Sequence, residues 1–277
     1  MVTLTRLLEE TVFIRFLQTV IKMRKKKVMK PLRGSSDVAA NLVFRTSELR
    51  LSSSLHILRQ EPLIATIDGV VTPDEAQAMI DHCVQTSMKD AKVSGDVGGE
   101  VNPEERRSSV LWVKHRTTPI FAAVASRIAA LVGSDLSHAE NFQMIHYLPG
   151  GHYDIHYDAY DWDTTKGNRC LRKGGQRVTT TLCYLNTPEA GGSTEFTEKE
   201  CGGCSVEART GRLLIFNNCR GDSFEKCDEA LHAGRPVERG EKWAFNLWFR
   251  QYPLSYNPVV PSDEQTAHSS VVETSNV

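Results

Sequence analysis

The sequence predicts an α+β fold in which two helices precede a mainly β core. Two segments in the first half carry helix start signals followed by apolar residues at helical spacing. From residue 141 onward the pattern changes to short alternating runs rich in β-branched and aromatic residues, separated by Gly-rich or polar turns. Helices first and short strands afterwards are typical of an α+β domain whose β part is a sandwich or a barrel.

The first predicted helix begins after Thr72, which is the expected N-cap. Pro73 takes the first helical position, and Glu75 completes a capping box with Thr72. The apolar residues at helical spacing predict one buried face. That face is expected to contain Ala76, Met79, Ile80 and Val84.

The second predicted helix begins at Thr118 and Pro119 and ends at Gly133. Its inward face is expected to contain Ile120, Phe121, Val124, Ile128 and Leu131. Between the two helices lie several glycines, which indicate a mobile loop. They are Gly95, Gly98 and Gly99.

The predicted strands all fall within one compact region. They are 63–67, 142–147, 153–157, 178–185, 203–207, 212–216 and 243–249. Together with the helices they define a domain at 61–253. Residues 1–60 form an extension that is amphipathic, then basic, then polar, and residues 254–277 form a polar tail that we expect to be disordered.

Composition and charge narrow the class of protein. Hydrophobic residues make up 40% of the chain and charged residues 24%, which are ordinary globular values and exclude a collagen-like protein. Lys and Arg number 33 against 34 Asp and Glu, a formal charge of −1. Because the chain has no basic excess, nucleic acid is not an expected partner.

The N-terminal segment does not resemble a membrane span. Charged residues such as Arg6, Glu9 and Arg15 interrupt its apolar positions, and a span needs about 20 apolar residues. The basic run at 22–27 follows the apolar stretch, whereas a secretory signal begins with its positive charge. A mitochondrial presequence and an amphipathic helix lying on a membrane stay open as alternatives. The expected location is the cytoplasm.

Seven cysteines, an odd number, fit reduced thiols better than a complete disulfide framework. Four of them cluster late in the chain, at Cys201, Cys204, Cys219 and Cys227. The first two have C-x-x-C spacing, which is compatible with a zinc site or a disulfide. The second pair lacks this spacing, which favours simple loop and strand thiols.

The pattern with the clearest chemistry is His156-x-Asp158. Residues two apart on a strand point to the same face, so one strand can present an imidazole and a carboxylate side by side. His232 is the candidate third ligand. Two His and one carboxylate form the facial triad of non-haem Fe(II) oxygenases, which leaves coordination positions open for a co-substrate and O2. His152 is a competing ligand, but the Pro-Gly-Gly before it argues against the helix that would align it with His156.

An oxygenase that uses 2-oxoglutarate also needs a cation for the far carboxylate of that co-substrate. Lys242 lies ten residues after His232, at the start of a predicted strand. An ammonium that faces a carboxylate in a partly buried cleft makes a charge-assisted hydrogen bond.

These motifs resemble the prolyl 4-hydroxylase family of Fe(II)/2-oxoglutarate dioxygenases over roughly residues 62–250. The family pattern Y-x-x-G-x-x-Y-x-x-H-x-D is matched by Tyr147, Gly150, Tyr153, His156 and Asp158. The pattern H-x-G-x-P-V-x-x-G-x-K-W is matched by His232, Gly234, Pro236, Val237, Gly240, Lys242 and Trp243. Upstream, Arg107, Ser108 and Ser109 resemble the family's R-[ST]-S segment, but Val110 or Leu111 replaces the glycine that often follows.

The resemblance implies a double-stranded β-helix, or jelly roll, flanked by N-terminal helices. It implies Fe(II) held by His156, Asp158 and His232, with 2-oxoglutarate and O2 as co-substrates and ascorbate as the reductant. Tyr147, Thr194 and Lys242 would bind 2-oxoglutarate. The residues expected to line the substrate pocket are Tyr153, Arg177 and Tyr184.

The activity that the resemblance implies is hydroxylation of prolyl residues in a peptide or protein. A hydroxylase of a free amino acid or other small molecule on the same core is an alternative. A third alternative is a non-catalytic interaction module with a structural metal site. It predicts tight zinc binding and no binding of 2-oxoglutarate, which distinguishes it from both enzymes.

Overall fold

The computed structural model describes residues 54–256, apart from 95–98, 101, 103, 198–202 and 221–223. The predicted amphipathic and basic segments and most of the polar tail lie outside the described residues. So do Cys201, Gly95 and Gly98.

Three α-helices and eighteen β-strands make up the described part of the chain. The helices are α1 (Pro73–Gln85), α2 (Pro119–Leu131) and α3 (Thr165–Leu171). The strands of the N-terminal half are β1 (Leu55–Arg59), β2 (Ile64–Ile67), β3 (Lys89–Asp90), β4 (Val93–Ser94), β5 (Gly99–Glu100), β6 (Ser109–Val113), β7 (Phe142–Tyr147) and β8 (Tyr153–His156). Those of the C-terminal half are β9 (Arg177–Tyr184), β10 (Ala190–Gly191), β11 (Thr194–Phe196), β12 (Ser205–Val206), β13 (Leu213–Asn217), β14 (Cys219–Arg220), β15 (Glu225–Lys226), β16 (His232–Gly234), β17 (Val237–Arg239) and β18 (Lys242–Arg250).

Two antiparallel sheets form the double-stranded β-helix that the sequence predicts. The larger sheet has eight strands in the order β1-β2-β13-β9-β18-β7-β6-β3. The smaller sheet has four strands in the order β12-β11-β16-β8. Strands adjacent in sequence are rarely neighbours in either sheet, so each sheet draws on several distant parts of the chain.

Helices α1 and α2 pack against the larger sheet and begin as the sequence predicts. Thr72 and Glu75 form the full capping box of α1, and Thr118 caps α2. Ala76 and Met79 of α1 are buried, but the predicted contribution of Val84 is wrong: it is 69% exposed. Cys83 is buried instead. At 100° per residue, Cys83 lies close to the centre of the arc that holds Ala76 and Met79, whereas Val84 lies about 100° away from it.

A second core fills the space between the two sheets. Its large members come from both sheets and include Tyr184 of β9, Phe196 of β11 and Phe216 of β13. The ring centroids of Phe196 and Phe216 are 5.1 Å apart at a steep angle, an edge-to-face contact. This apolar layer forms the floor beneath the candidate active site, because His232 packs its ring against Phe216.

The folded region extends beyond the predicted domain limits at both ends. Strand β1 falls in the segment predicted as an extension, yet it pairs with β2 in the larger sheet. At the other end, the carbonyl of Tyr256 accepts a hydrogen bond from the amide of Gly174. No helix in the described part of the chain is long and apolar enough to cross a membrane.

Candidate active site

Strand pairing in the smaller sheet brings the predicted metal ligands together. His156 at the end of β8 lies directly opposite His232 at the start of β16. Directly opposed residues have neighbouring side chains on the same face of a sheet. Asp158 lies two residues after His156, just beyond the end of β8. One ligand atom from each of His156, Asp158 and His232 lies within 4.8 Å of the other two. Among the described residues this is the one group of three that could hold a metal ion.

Backbone carbonyls fix both imidazoles in one orientation. The Nδ1 of His156 lies 2.7 Å from the carbonyl oxygen of Asp154, and the Nδ1 of His232 lies 2.8 Å from that of Ala230. Each Nδ1–H therefore donates, which leaves the Nε2 lone pair directed into the cluster. The two Nε2 atoms are each 3.9 Å from an oxygen of Asp158, too far for a hydrogen bond. The donor set and the tautomers thus fit a metal ion between the three side chains.

A chain of buried polar groups orients the carboxylate of Asp158. Its Oδ2 accepts a hydrogen bond of 2.7 Å from the hydroxyl of Thr180 on β9. That hydroxyl in turn accepts from the side-chain amide of Asn218, at 2.8 Å. Since Asn218 supplies the proton to Thr180, the Thr180 hydroxyl proton is directed at Asp158. Such outer partners hold a metal-binding carboxylate in place.

The electrostatics of the cluster keep the imidazole of His156 neutral and the carboxylate of Asp158 ionised. Burial and the positive charge of a protonated His232 lower the pKa of His156 to about 3. Burial works against ionisation of Asp158, but the positive charges of His232, His156 and Arg177 outweigh it and lower its pKa. Neutral imidazole and ionised carboxylate are the forms that bind a metal.

Lys242 is a buried cation at the first residue of β18. It is 3% exposed, and no carboxylate among the described residues pairs with it. Its Nζ lies 5.2 Å from the ring centroid of Tyr147 and 5.3 Å from that of Tyr184. Burial lowers the pKa of Lys242 to about 7. A buried ammonium without a counter-ion fits an anionic ligand, because charges are buried in proteins only when they are paired.

The predicted 2-oxoglutarate residues surround this ammonium. Tyr147 is the cross-strand partner of Lys242 in the larger sheet, and Thr194 comes from β11 of the smaller sheet. A small cavity lined by Tyr147, Thr194 and Lys242 at one end reaches His156 and His232 at the other. The space between the metal cluster and the buried cation is therefore continuous.

Tyr184, which the resemblance predicts as a substrate residue, lies in the core beside Thr194. It has no exposed surface, and its hydroxyl donates to the Thr194 hydroxyl at 2.8 Å. β9 is an inner strand with both faces covered, so Tyr184 points into the core between the sheets. In this position it orients Thr194 beside Lys242, and no surface of it faces the open cleft.

A cavity of about 480 Å³ opens on the other side of the metal cluster. Tyr153 and Arg177, the other two predicted substrate residues, both line it. Arg177 is held by two hydrogen bonds to the carboxylate of Glu140, at 2.7 and 2.9 Å, and stacks on Trp248 at 3.6 Å. The Arg177 guanidinium is thus fixed as a rigid wall of the cavity, and it shares the carboxylate of Glu140 with Arg250.

Arg106 is a site residue that the sequence reasoning missed. It is buried, and its guanidinium lies 4.5 Å from the ring centroid of Tyr153, which stacks on His156 at 3.6 Å. The amide oxygen of Gln143 accepts a hydrogen bond from Arg106 at 3.3 Å. The neighbouring Arg107, assigned to the family segment, is exposed. Arg106 stands one residue before that segment and outside its pattern, and its bridge to Tyr153 in the folded chain is what places it in the site.

The alternative metal ligands are not part of the cluster. His152 hydrogen-bonds to the carbonyls of Gly150 and Glu104. Gly150, at φ +80°, turns the chain between β7 and β8, so the helix that would align His152 with His156 does not form. Cys219 and Cys227 are buried thiols that contact backbone carbonyls, and burial raises the pKa of both.

Comparisons with known proteins agree with this geometry. Residues 142–250 match the model of the 2OG-Fe(II) oxygenase superfamily. The chain is 34% identical over 211 residues to mouse prolyl 4-hydroxylase subunit alpha-3, covering 73% of this chain and 37% of the relative. It is 30% identical over 209 residues to the Arabidopsis thaliana protein named probable prolyl 4-hydroxylase 3, covering 69% and 70% of the two chains. The viral collagen prolyl hydroxylase of Paramecium Bursaria Chlorella virus-1, solved as a 2OG complex, shares the fold with a TM-score of 0.54 at 24% identity, covering 68% of this chain and 95% of that one.

The fold and the ligand set define a 2OG-Fe(II) oxygenase domain, whose metal is Fe(II) and whose co-substrate is 2-oxoglutarate. Within that class, the chain belongs to the prolyl 4-hydroxylase family. It spans little more than a third of the length of the mammalian subunits that it matches.

Proposed function

We propose that this protein is an Fe(II)- and 2-oxoglutarate-dependent dioxygenase that hydroxylates prolyl residues in a polypeptide. The observation that carries the proposal is the pairing of a three-residue ligand cluster with an unpaired buried ammonium along one cavity. The cluster suits Fe(II), and Lys242 suits a co-substrate carboxylate. Membership of the prolyl 4-hydroxylase family supports a prolyl target.

His156, Asp158 and His232 would hold the iron through the two Nε2 atoms and the carboxylate. When bound, Fe(II) with 2-oxoglutarate and O2 supplies an oxidant that inserts oxygen into a C–H bond, with release of succinate and CO2. The outer layer keeps these ligands in place: the carbonyls of Asp154 and Ala230 fix the imidazoles, and Thr180 fixes the carboxylate.

Lys242 and Thr194 would bind the far carboxylate of 2-oxoglutarate. The Tyr184 hydroxyl donates to Thr194, so the Thr194 proton is free to turn toward that carboxylate. Binding of an anion raises the pKa of Lys242 and keeps the ammonium charged. Tyr147 covers the ammonium with its ring and separates it from water.

The wider cavity would receive the polypeptide. A cavity of about 480 Å³ reaches His156 and Asp158, so a substrate side chain placed there lies beside the iron. The structure of a prolyl hydroxylase from Trichoplax adhaerens was solved with a peptide fragment, which supports a peptide as the substrate here. Arg177 and Trp248 form a rigid wall along which such a peptide would lie.

The test is to measure succinate formed from 2-oxoglutarate with Fe(II) and ascorbate, with and without proline-containing peptides. Mass spectrometry of the peptide then looks for one added oxygen on proline. His232→Ala should abolish both signals, and the matched control His152→Ala should retain them. Turnover without oxygen on proline would refute the prolyl assignment. Loss of activity in His152→Ala but not in His232→Ala would refute the ligand assignment.

A further inference from the structure

The mouth of the wide cavity carries a cluster of basic side chains and one exposed aromatic ring. We call it the basic rim and define it as Lys89, Lys92, Lys166 and Trp112. Lys89 and Lys92 lie on and just after β3, the edge strand of the larger sheet. Trp112 projects from the neighbouring strand β6 and is 49% exposed, which is unusual for so large an apolar side chain.

The charges of this cavity do not balance. Arg177 shares the carboxylate of Glu140 with Arg250, and Asp158 belongs to the metal cluster. Apart from Lys166, the remaining charged side chains of the lining are Lys89, Lys92 and Arg106 against Asp90. Lys89 and Lys92 are exposed and form no salt bridge with any described carboxylate. A concave surface with this excess of one sign attracts the opposite charge.

The adjoining cavity on the far side of His156 has the opposite character. Its acidic side chains are Glu105, Asp154 and Asp161, of which Asp161 is paired with Lys226 at 2.6 Å, and its Arg235 is paired with Glu195 at 3.2 Å. The two cavities share Tyr153, His156, Tyr157 and Lys166. An extended chain that passes the metal cluster would meet Lys89 and Lys92 on one side and Glu105 and Asp154 on the other.

We propose, resting on the proposed function, that the preferred substrate is a polypeptide with acidic residues on one flank of the target residue, bound by the basic rim. Lys89 and Lys92 pair with the acidic side chains, and Trp112 packs against an apolar or prolyl ring between them and the target. Acidic residues on the opposite flank lie near the carboxylates of Glu105 and Asp154 and therefore do not increase the affinity. The basic rim thus determines which polypeptide binds and takes no part in the chemistry at the metal cluster.

Peptide binding tests this inference separately from turnover. Four labelled peptides of equal length, each with one central proline, are compared. The first carries two Asp on one flank, the second two Asp on the other flank, the third two Lys on one flank, and the fourth Ser at all flanking positions. Fluorescence anisotropy measures their affinity for protein loaded with Mn(II) and 2-oxoglutarate in the absence of O2. One acidic-flank peptide should bind about threefold to tenfold more tightly than the Ser peptide at low salt, and the preference should fall as salt is added.

Charge variants assign the effect to the rim. Lys89→Glu/Lys92→Glu should abolish the preference for the acidic flank and favour a Lys flank instead. The control Lys114→Glu/Arg116→Glu changes the net charge equally with exposed residues that do not line either cavity, and it should keep the acidic preference. Equal affinity for acidic and Ser peptides, equal gain on both flanks, or loss of preference in the control would overturn the inference. If the preference holds but no peptide gains oxygen, the inference stands and the prolyl assignment fails.

Discussion

Replacing Lys242 by Met should stabilise the ligand-free protein while removing its affinity for 2-oxoglutarate. Lys242 is buried at the start of β18 without a described carboxylate partner. Met has nearly the same length and volume, so the substitution removes the charge and leaves little cavity. Lys242 would thus lower the stability of the ligand-free fold, and the same buried charge would provide the affinity for the anion.

The magnitude follows from the pKa of Lys242. Burial lowers it from 10.5 to about 7, so the unfolded chain binds the proton more tightly than the folded one. At about 1.4 kcal/mol per unit, the full penalty is about 5 kcal/mol below pH 7. The lost contacts of the ammonium with the rings of Tyr147 and Tyr184 offset about 1–2 kcal/mol of the gain. We expect the free energy of unfolding to rise by roughly 2–4 kcal/mol at pH 6.5 and by much less near pH 10. At that pH the folded state has lost the proton and the unfolded state approaches its own pKa of 10.5.

Urea unfolding of the metal-free protein at both pH values measures the first effect. Titration of the Mn(II)-loaded protein with 2-oxoglutarate measures the second, which we expect to be a loss of about thirtyfold or more for a deleted charge-assisted bond. Lys173→Met, at an exposed lysine, is the matched control and should change neither quantity. If Lys242→Met leaves stability at pH 6.5 unchanged or lowers it, the ammonium is not an unpaired charge in the free protein, and the reasoning about the anion site fails.

Three further perturbations test other parts of the site and the core. The affinity of the Mn(II)-loaded wild type for 2-oxoglutarate should fall by about 25-fold between pH 6.5 and 8.5, because the pKa of free Lys242 is about 7 and only its charged form binds the carboxylate. A flat calorimetric profile over this range would contradict that assignment. Thr180→Val should weaken Mn(II) binding by about tenfold to a hundredfold, because the Asp158 carboxylate loses the hydrogen bond that orients it. Thr180→Ser keeps the hydroxyl and should retain the affinity. Equal affinities in the three proteins would show that the hydrogen bond does not matter. Met79→Ala should cost about 2–5 kcal/mol of unfolding free energy because Met79 is fully buried. Val84→Ala should stay within about 0.5 kcal/mol, and a large loss there would place Val84 in the core after all.

The sequence predicts the order of helices and strands well because their signals are local. The capping box at Thr72 and the alternating run at 142–147 each need only a few adjacent residues to be recognised. The error at Val84 arises at the edge of a helical arc, where a difference of one residue turns the side chain by 100°. Strand β1 was missed because its alternation of exposed and half-buried residues contains no strongly apolar face.

The site was predictable only where a short motif fixes the geometry. His156-x-Asp158 keeps two ligands close together through short spacing in the chain, but the position of His232 depends on its register opposite His156. Arg106 depends on its bridge to Tyr153, and Tyr184 depends on which face of β9 is inside, although both faces of β9 are covered. Hydrophobic alternation carries no information about a strand that is buried on both sides. No sequence motif predicts the basic rim, because its residues come from the region of β3, from β6 and from α3 and lie together only in the folded chain.

The charged side chains at the two ends of the site differ in their ion pairing. This difference fits a dioxygenase that binds its metal and co-substrate before its substrate. At the wide end, Arg177 is already hydrogen-bonded to Glu140, which it shares with Arg250, so its position needs no ligand to fix it. At the narrow end, Lys242 has no carboxylate partner among the described residues, and the cluster of His156, Asp158 and His232 offers three donors without hydrogen bonds between them. The metal ion would bind the three donors, and the 2-oxoglutarate dianion would pair with the Lys242 ammonium. Each of the two should therefore bind more tightly when the other is already present. Under the proposed function, the polypeptide would enter afterwards against a surface whose exposed charges include Lys89 and Lys92 at the rim. Its affinity should accordingly respond to salt far more strongly than that of 2-oxoglutarate, because exposed charges are screened and buried ones are not.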